Sequence, residues 1–278
     1  MMRENIISDL CIITDLDGTF LPHSKMPLER DLLAVKAFEK AGGMFTIATG
    51  RTIQACQNYL DLLALKHPVI VFNGAMIYHP ESQAMPFLKI LPEQAKQMTE
   101  TVLREMPHVG IEVLCERQTW VVNNTPIEQE HVKVCNIIPE YGTVWDVQGK
   151  WLKVLFSMPP EDMPEFMAYI AEKQYQTFTQ NPVNFVRSEK KFYEMLPKGI
   201  SKGSALMTYR KLFPDKKLIA VGDYDNDLAM LKASDFAVCP ANAVDSVKVV
   251  SDLVLTRNCE QGAMEELISG ILSGKIRI

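Results

Sequence analysis

Apolar residues fall in two rhythms along this chain. Five short runs are almost continuously apolar or β-branched and end in polar residues or glycine. They are "CIITD" (11–15), "MFTIATG" (44–50), "VIVFNG" (69–74), "KLIAVGD" (217–223) and "DFAVCP" (235–240). Runs of this kind suit the strands of a parallel sheet that is covered on both faces. Between them, apolar residues recur at three- and four-residue steps. The segment from Pro27 to Ala41 carries Leu28, Leu32, Val35 and Phe38 in that way, and Gly42-Gly43 ends it. Residues 52–63 and 201–211 read as helices on the same grounds. Alternating strand and helix predicts an α/β fold, a Rossmann-like parallel sheet with right-handed crossovers.

The middle of the chain breaks this rhythm. Its strand-like runs, "IEVLCE", "QTWVVNN" and "WLKVLFSM", are shorter and more amphipathic, and helical patterns cover about 92–106 and 160–173. That mixture predicts an inserted α+β domain over residues 82–188, an open sheet with helices on one face. The α/β core would then be made of residues 1–81 and 189–278. Its pattern resumes at "FYEMLPKGISKGSAL".

Composition narrows the classes of function. The 278 residues are 47% hydrophobic, enough for a sizeable core or two modest ones. A net charge of −5 argues against a nucleic-acid partner, which selects for basic excess. There is no leader pattern and no apolar run of membrane-spanning length, so the expectation is a soluble cytoplasmic protein without a membrane partner. The six cysteines are scattered and read as reduced thiols. Oligomeric state has no signature in the sequence.

Chemistry concentrates at the strand ends, where open parallel sheets place their sites. Those ends carry Asp15 and Asp17, then Thr49-Gly50-Arg51, then Asn73-Gly74, and finally Gly222-Asp223 followed by Asn226-Asp227. Acids converging on one rim repel each other unless a cation sits among them, and oxygen ligands favour a hard ion such as Mg²⁺. Such an ion invites a phosphate. Asp15 could attack phosphorus, and Asp17 could protonate the leaving oxygen and later activate water. Gly18 lets the backbone turn tightly. Backbone N–H groups in that turn, Leu16 among them, can cradle phosphate oxygens. Thr49 offers a hydroxyl, and Lys202 could neutralise developing charge.

Four motifs in order, "DLDGT" at 15–19, "TGR" at 49–51, "KGISKGSAL" at 198–206 and "GDYDND" at 222–227, resemble those of the haloacid dehalogenase-like (HAD) phosphatases. "FNGA" at 72–75 and the large insertion after the second motif resemble the Cof-type branch, which carries its cap domain there. The resemblance implies that Asp15 is the nucleophile and a Mg²⁺ ligand, and that Asp17 is the acid/base, with its carbonyl on the metal. Asp223 would be the third protein ligand. Thr49 and the N–H of Gly50 would hold the phosphoryl group, Lys202 would bridge it to Asp15, and Asn226 would reach the phosphate. Asp227 would orient Lys202 or a metal-bound water.

The implied activity is Mg²⁺-dependent hydrolysis of a small phosphorylated metabolite, such as a sugar phosphate or a phosphorylated cofactor. A phosphotransferase or phosphomutase would share the same aspartyl-phosphate, and a non-catalytic phosphate-binding module is the third alternative. Some residues have plainer readings too. Asn73-Gly74 is a hairpin signal as well as a candidate substrate contact. Arg51 suits a surface pair, and Trp120, Trp145 and Trp151 suit core packing.

Overall fold

A computed structural model describes residues 7–135, 137–178 and 182–278. The first strand, β1 (Leu10–Thr14), is buried along its whole length, as a central parallel strand should be. Helix α1 (Glu29–Lys40) lays Ala34, Val35 and Phe38 inward. Then come β2 (Met44–Ile47), α2 (Ile53–Leu62), and two short strands, β3 (Val69–Val71) and β4 (Met76–Tyr78), paired antiparallel. The expected third core strand is therefore one arm of a hairpin. It touches the main sheet through a single parallel bridge between Ala48 and Ile70. The strand β5 (Phe87–Leu88) lies beside β4.

The chain next builds α3 (Gln94–Glu105), β6 (Gly110–Cys115), β7 (Thr119–Asn123), α4 (Pro126–Val134) and β8 (Glu140–Tyr141). It continues with β9 (Trp151–Ser157), α5 (Met163–Thr177), β10 (Val183–Glu189) and β11 (Phe192–Pro197). Their sheet runs β10-β11-β9-β6-β7-β8. On one face, α3 contributes Ala95, Met98 and Val102, and α5 contributes Met163, Phe166 and Ile170, to a core that includes Ile111, Val113, Val154 and Phe156. Trp151 is buried in that core and Trp120 packs against it. Trp145, expected inside, is 62% exposed. The expectation of helices on one face is also incomplete. Strand alternation turns Glu112 away from Ile111 and Val113, and α4 covers that second face.

The chain then returns to the first sheet through α6 (Lys202–Leu212), β12 (Lys217–Val221), α7 (Leu228–Ala233), β13 (Phe236–Cys239), α8 (Asp245–Val250), β14 (Leu253–Val254) and α9 (Ala263–Leu272). That sheet is parallel throughout, in the order β14-β13-β12-β1-β2. The direction of winding reverses beside β1, so a crevice opens at the C-terminal ends of β1 and β12.

Two compact units result. One holds the described residues of Met1–Gly50, Asn58–Phe87 and Ser201–Ile278; the other holds Arg51–Gln57 and Leu88–Ile200. The expected return to the core at residue 189 falls inside the β10–β11 hairpin, which completes the second sheet because Phe192 to Met195 pair with β9. All six cysteines are free. Among the described residues, no helix is long and apolar enough to cross a membrane.

Candidate active site

Apart from Arg51, the candidate residues of the strand ends lie in the first unit. Asp15 directly follows β1, and its N–H donates to the Val221 carbonyl at the end of β12 (2.8 Å). The Leu16 carbonyl then accepts from Thr19, Phe20 and Leu21 (3.3, 3.0 and 2.7 Å), which folds the chain into a tight loop. The Leu16 side chain is buried, so only its backbone can serve a ligand. Gly18 sits at φ +82, and a Cβ there would lie 2.5 Å from an Asp223 carboxylate oxygen. That close approach, as well as the turn, requires glycine.

Lys202 opens α6. Its helix starts with a capping box in which Ser201 and Ser204 bond each other's backbone. The Lys202 ammonium is completely buried and lies 2.6 Å from both Asp15 and Asp227. Burial opposes the ammonium charge, but the two carboxylates outweigh it and hold Lys202 above its usual range. Asp227 is also tied down at its other oxygen, which accepts from the N–H groups of Asp223 and Tyr224 (3.0 and 3.2 Å). It is therefore a fixed anchor for Lys202.

Asp15, Asp223 and Asp227 each offer an oxygen within 4.8 Å of the other two. Burial first, and then the neighbouring carboxylates, push Asp15 well above the carboxylate range. The same causes push Asp223 up to about 7, although Thr19 donates to it at 2.6 Å. A dication reverses this logic, because its charge favours the ionised acids. A compact set of oxygen donors with crowded negative charge fits a hard divalent ion.

Asp17 turns to a different partner and forms a 2.6 Å ion pair with Lys25. Thr49 is buried. Its carbonyl accepts from the Asn73 N–H at 3.0 Å, and Gly50 packs so close to Asn73 that a Cβ would sit 2.9 Å from the amide oxygen. Asn73-Gly74 forms the turn between β3 and β4, with Asn73 at φ 52 and Gly74 at φ +99. The hairpin reading therefore stands. The same turn also buries the Asn73 side chain, whose oxygen accepts from Asn226 at 3.4 Å. Arg51 lies in the second unit and donates to the Ala55 carbonyl.

Three further residues support the site: Thr19, which closes "DLDGT", and Lys25 and Asn242, which lie outside the four motifs. Thr19 positions Asp223, Lys25 pairs with Asp17, and Asn242 holds the loop by donating to the Gly18 carbonyl at 2.8 Å. Thr19 could have been noticed as the polar residue after Gly18. Lys25 and Asn242 carry no sequence signal, because only the fold brings them to the loop.

A family model described as haloacid dehalogenase-like hydrolase matches residues 12–267. The chain is 25% identical over 264 residues to the 5-amino-6-(5-phospho-D-ribitylamino)uracil phosphatase YitU of Bacillus subtilis, covering 90% of this chain and 93% of that protein. It is 25% identical over 282 residues to the pyridoxal phosphate phosphatase YbhA of Escherichia coli, covering 94% and 98%. A haloacid dehalogenase-like hydrolase from Bacteroides thetaiotaomicron shares its fold, with a TM-score of 0.82 at 22% identity, covering 94% of this chain and 99% of that one. The chain belongs to the haloacid dehalogenase-like hydrolases.

Proposed function

We propose that this protein hydrolyses a small phosphorylated metabolite, with Mg²⁺, through an aspartyl-phosphate on Asp15. The single observation that carries this reading is the buried Lys202 ammonium held 2.6 Å from Asp15 and from Asp227. A strand-end carboxylate locked against a desolvated cation is poised to meet a phosphoryl group, because the cation can share the charge that develops there.

In the first half-reaction, an Asp15 oxygen forms a bond to phosphorus as the ester oxygen leaves. Asp17 gives that oxygen its proton. In the second, Asp17 takes a proton from water, whose oxygen attacks phosphorus. Inorganic phosphate departs and the Asp15 carboxylate is restored. Lys25 stabilises the carboxylate form of Asp17 that the second step needs. Asp15 and Asp223, with the Asp17 carbonyl, would hold the Mg²⁺. The ion would supply charge to offset the phosphoryl oxygens. Thr49, Gly50 and Asn226 would position those oxygens, and the Asn73-Gly74 turn would border the substrate.

The two curated relatives are named for a phosphorylated ribitylaminouracil and for pyridoxal phosphate. That supports a sugar phosphate or a phosphorylated cofactor here, and favours water over a second sugar hydroxyl as acceptor. The direct test is release of p-nitrophenol from p-nitrophenyl phosphate, followed by a panel of sugar phosphates and phosphorylated cofactors. Turnover with Mg²⁺ should vanish with EDTA and in Asp15→Asn. Full activity in that variant, or silence across the whole panel, would overturn the reading.

A further inference from the structure

The second unit buries a polar cluster far in sequence from the strand-end aspartates. Glu112 on β6 and Glu128 on α4 are both fully buried. Glu128 Oε2 accepts from the Ser157 hydroxyl of β9 at 2.7 Å, and its carboxyl reaches Glu112 within hydrogen-bonding range. His131, one helical turn further along α4, has Nε2 3.3 Å from Glu112 Oε2. That contact is an ion pair rather than a well-directed hydrogen bond. Both Glu112 oxygens and Glu128 Oε1 are buried, and none accepts a well-directed hydrogen bond from a donor among the described residues.

Two buried carboxylates side by side, with three undonated oxygens, make a costly arrangement if both are ionised. Carboxylates only accept, so neither can satisfy the other. One proton changes this, because a carboxylic acid donates. We propose that Glu128 keeps its proton in the folded protein and donates it to Glu112, and that this buried proton latches α4 onto the six-stranded sheet.

The surroundings support the assignment. Burial first, and then the Glu112 charge, push Glu128 up to about 8. Burial pulls His131 down. The hydrogen bond to Cys135 (Sγ 3.6 Å from Nδ1) and the Glu112 carboxylate more than offset that, so the imidazole stays charged. Glu112 thus has a positive partner on one side and a proton donor on the other. The remaining neighbours are accounted for. Phe192 of β11 meets the His131 ring edge-on at 4.7 Å. On the same face, Lys153 of β9 pairs with Glu194 of β11 at 3.0 Å. At the outer side of α4, Glu130 pairs with Lys191 at 2.9 Å.

The sign of the pH dependence follows. In opened α4, Glu128 meets water and returns towards its ordinary value of 4.5. The latch is therefore fully present below that value, and is lost as pH rises through about 8. Carbon-13 NMR of the full chain labelled at glutamate carboxyls should show one glutamate titrating near 8, absent from Glu128→Gln. Hydrogen exchange should show α4 protection falling between pH 6 and pH 8, by up to about tenfold per unit. In Glu128→Gln, whose amide still donates, the Glu128 part of that fall should disappear, leaving only the part that His131 contributes above its ordinary value of 6.5. If every glutamate of the wild-type protein titrates in the ordinary carboxylate range, the proposal fails, whether or not the variant folds. An equal loss of α4 protection in Glu128→Gln would also overturn it.

Discussion

At the scale of single residues, the site depends on groups that orient other groups. Thr19 is the clearest case. It is buried and gives its hydroxyl hydrogen to Asp223 at 2.6 Å, which fixes one oxygen of that carboxylate and leaves the other available. Thr19→Val keeps the shape and deletes the donor. Losing a partner that orients a metal ligand commonly weakens metal affinity by about 10–100-fold. The Mg²⁺ concentration for half-maximal phosphatase activity should rise by about that factor, with much of the maximal rate regained at saturating Mg²⁺. An unchanged Mg²⁺ requirement would remove Asp223 from the metal site. The aspartates stand out in the sequence because strand ends and spacing mark them, and Lys202 because of the motif resemblance of "KGISKGSAL". Thr19, Lys25 and Asn242 were legible only partly or not at all, since their partners are set by how the loop folds back on itself.

At the scale of elements, Lys202 depends on where α6 begins. Ser201 accepts from the Ser204 N–H and Ser204 returns the bond, so the first turn is pinned at the residue before the lysine. Ser201→Ala should cost about 1 kcal/mol in chemical denaturation, the usual effect of deleting an N-cap. It should also lower the catalytic rate without changing Mg²⁺ affinity, because the cap sets the helix end and not the metal ligands. Element type was readable where the pattern was long and regular, as in α1, α6 and the parallel strands β1, β2 and β12. It failed where an element was short or its facing residues were polar. The strand β14 has two residues and follows Asp252, so it shows no apolar run. Helix α4 turns Glu128 and His131 inward in place of an apolar stripe, and so lacks the usual periodic signal. Strand β11 fell outside the expected insertion because "FYEMLP" is buried along its whole length and runs straight into "KGISKGSAL", so its pattern is that of a core strand.

At the scale of the whole molecule, the first unit is assembled from segments far apart in sequence, and its stability rests on contacts that join them. Alternation of strand and helix announced the α/β class, but a pattern cannot say which distant helices meet. Helices α1 and α9 do so through Asp31. Its carboxylate is buried and accepts from the Glu265 N–H in the first turn of α9 at 2.7 Å. The oxygens therefore serve as a side-chain cap supplied by another helix. Burial raises Asp31 from 3.8 to about 6, against the lowering effect of that backbone hydrogen bond. The folded state thus holds a proton that the unfolded chain releases. This contribution is fully present below 3.8 and is lost as pH rises through about 6. The slope is at most about 1.4 kcal/mol per pH unit, which over this interval amounts to about 2–3 kcal/mol. Asp31→Asn keeps an oxygen for the Glu265 N–H and cannot ionise. Denaturation between pH 4 and pH 6.5 should show the wild-type protein losing stability relative to the variant, with the difference levelling off above that range. Parallel curves for the two proteins would mean that Asp31 is ionised throughout, and that the α1–α9 contact is a charged cap.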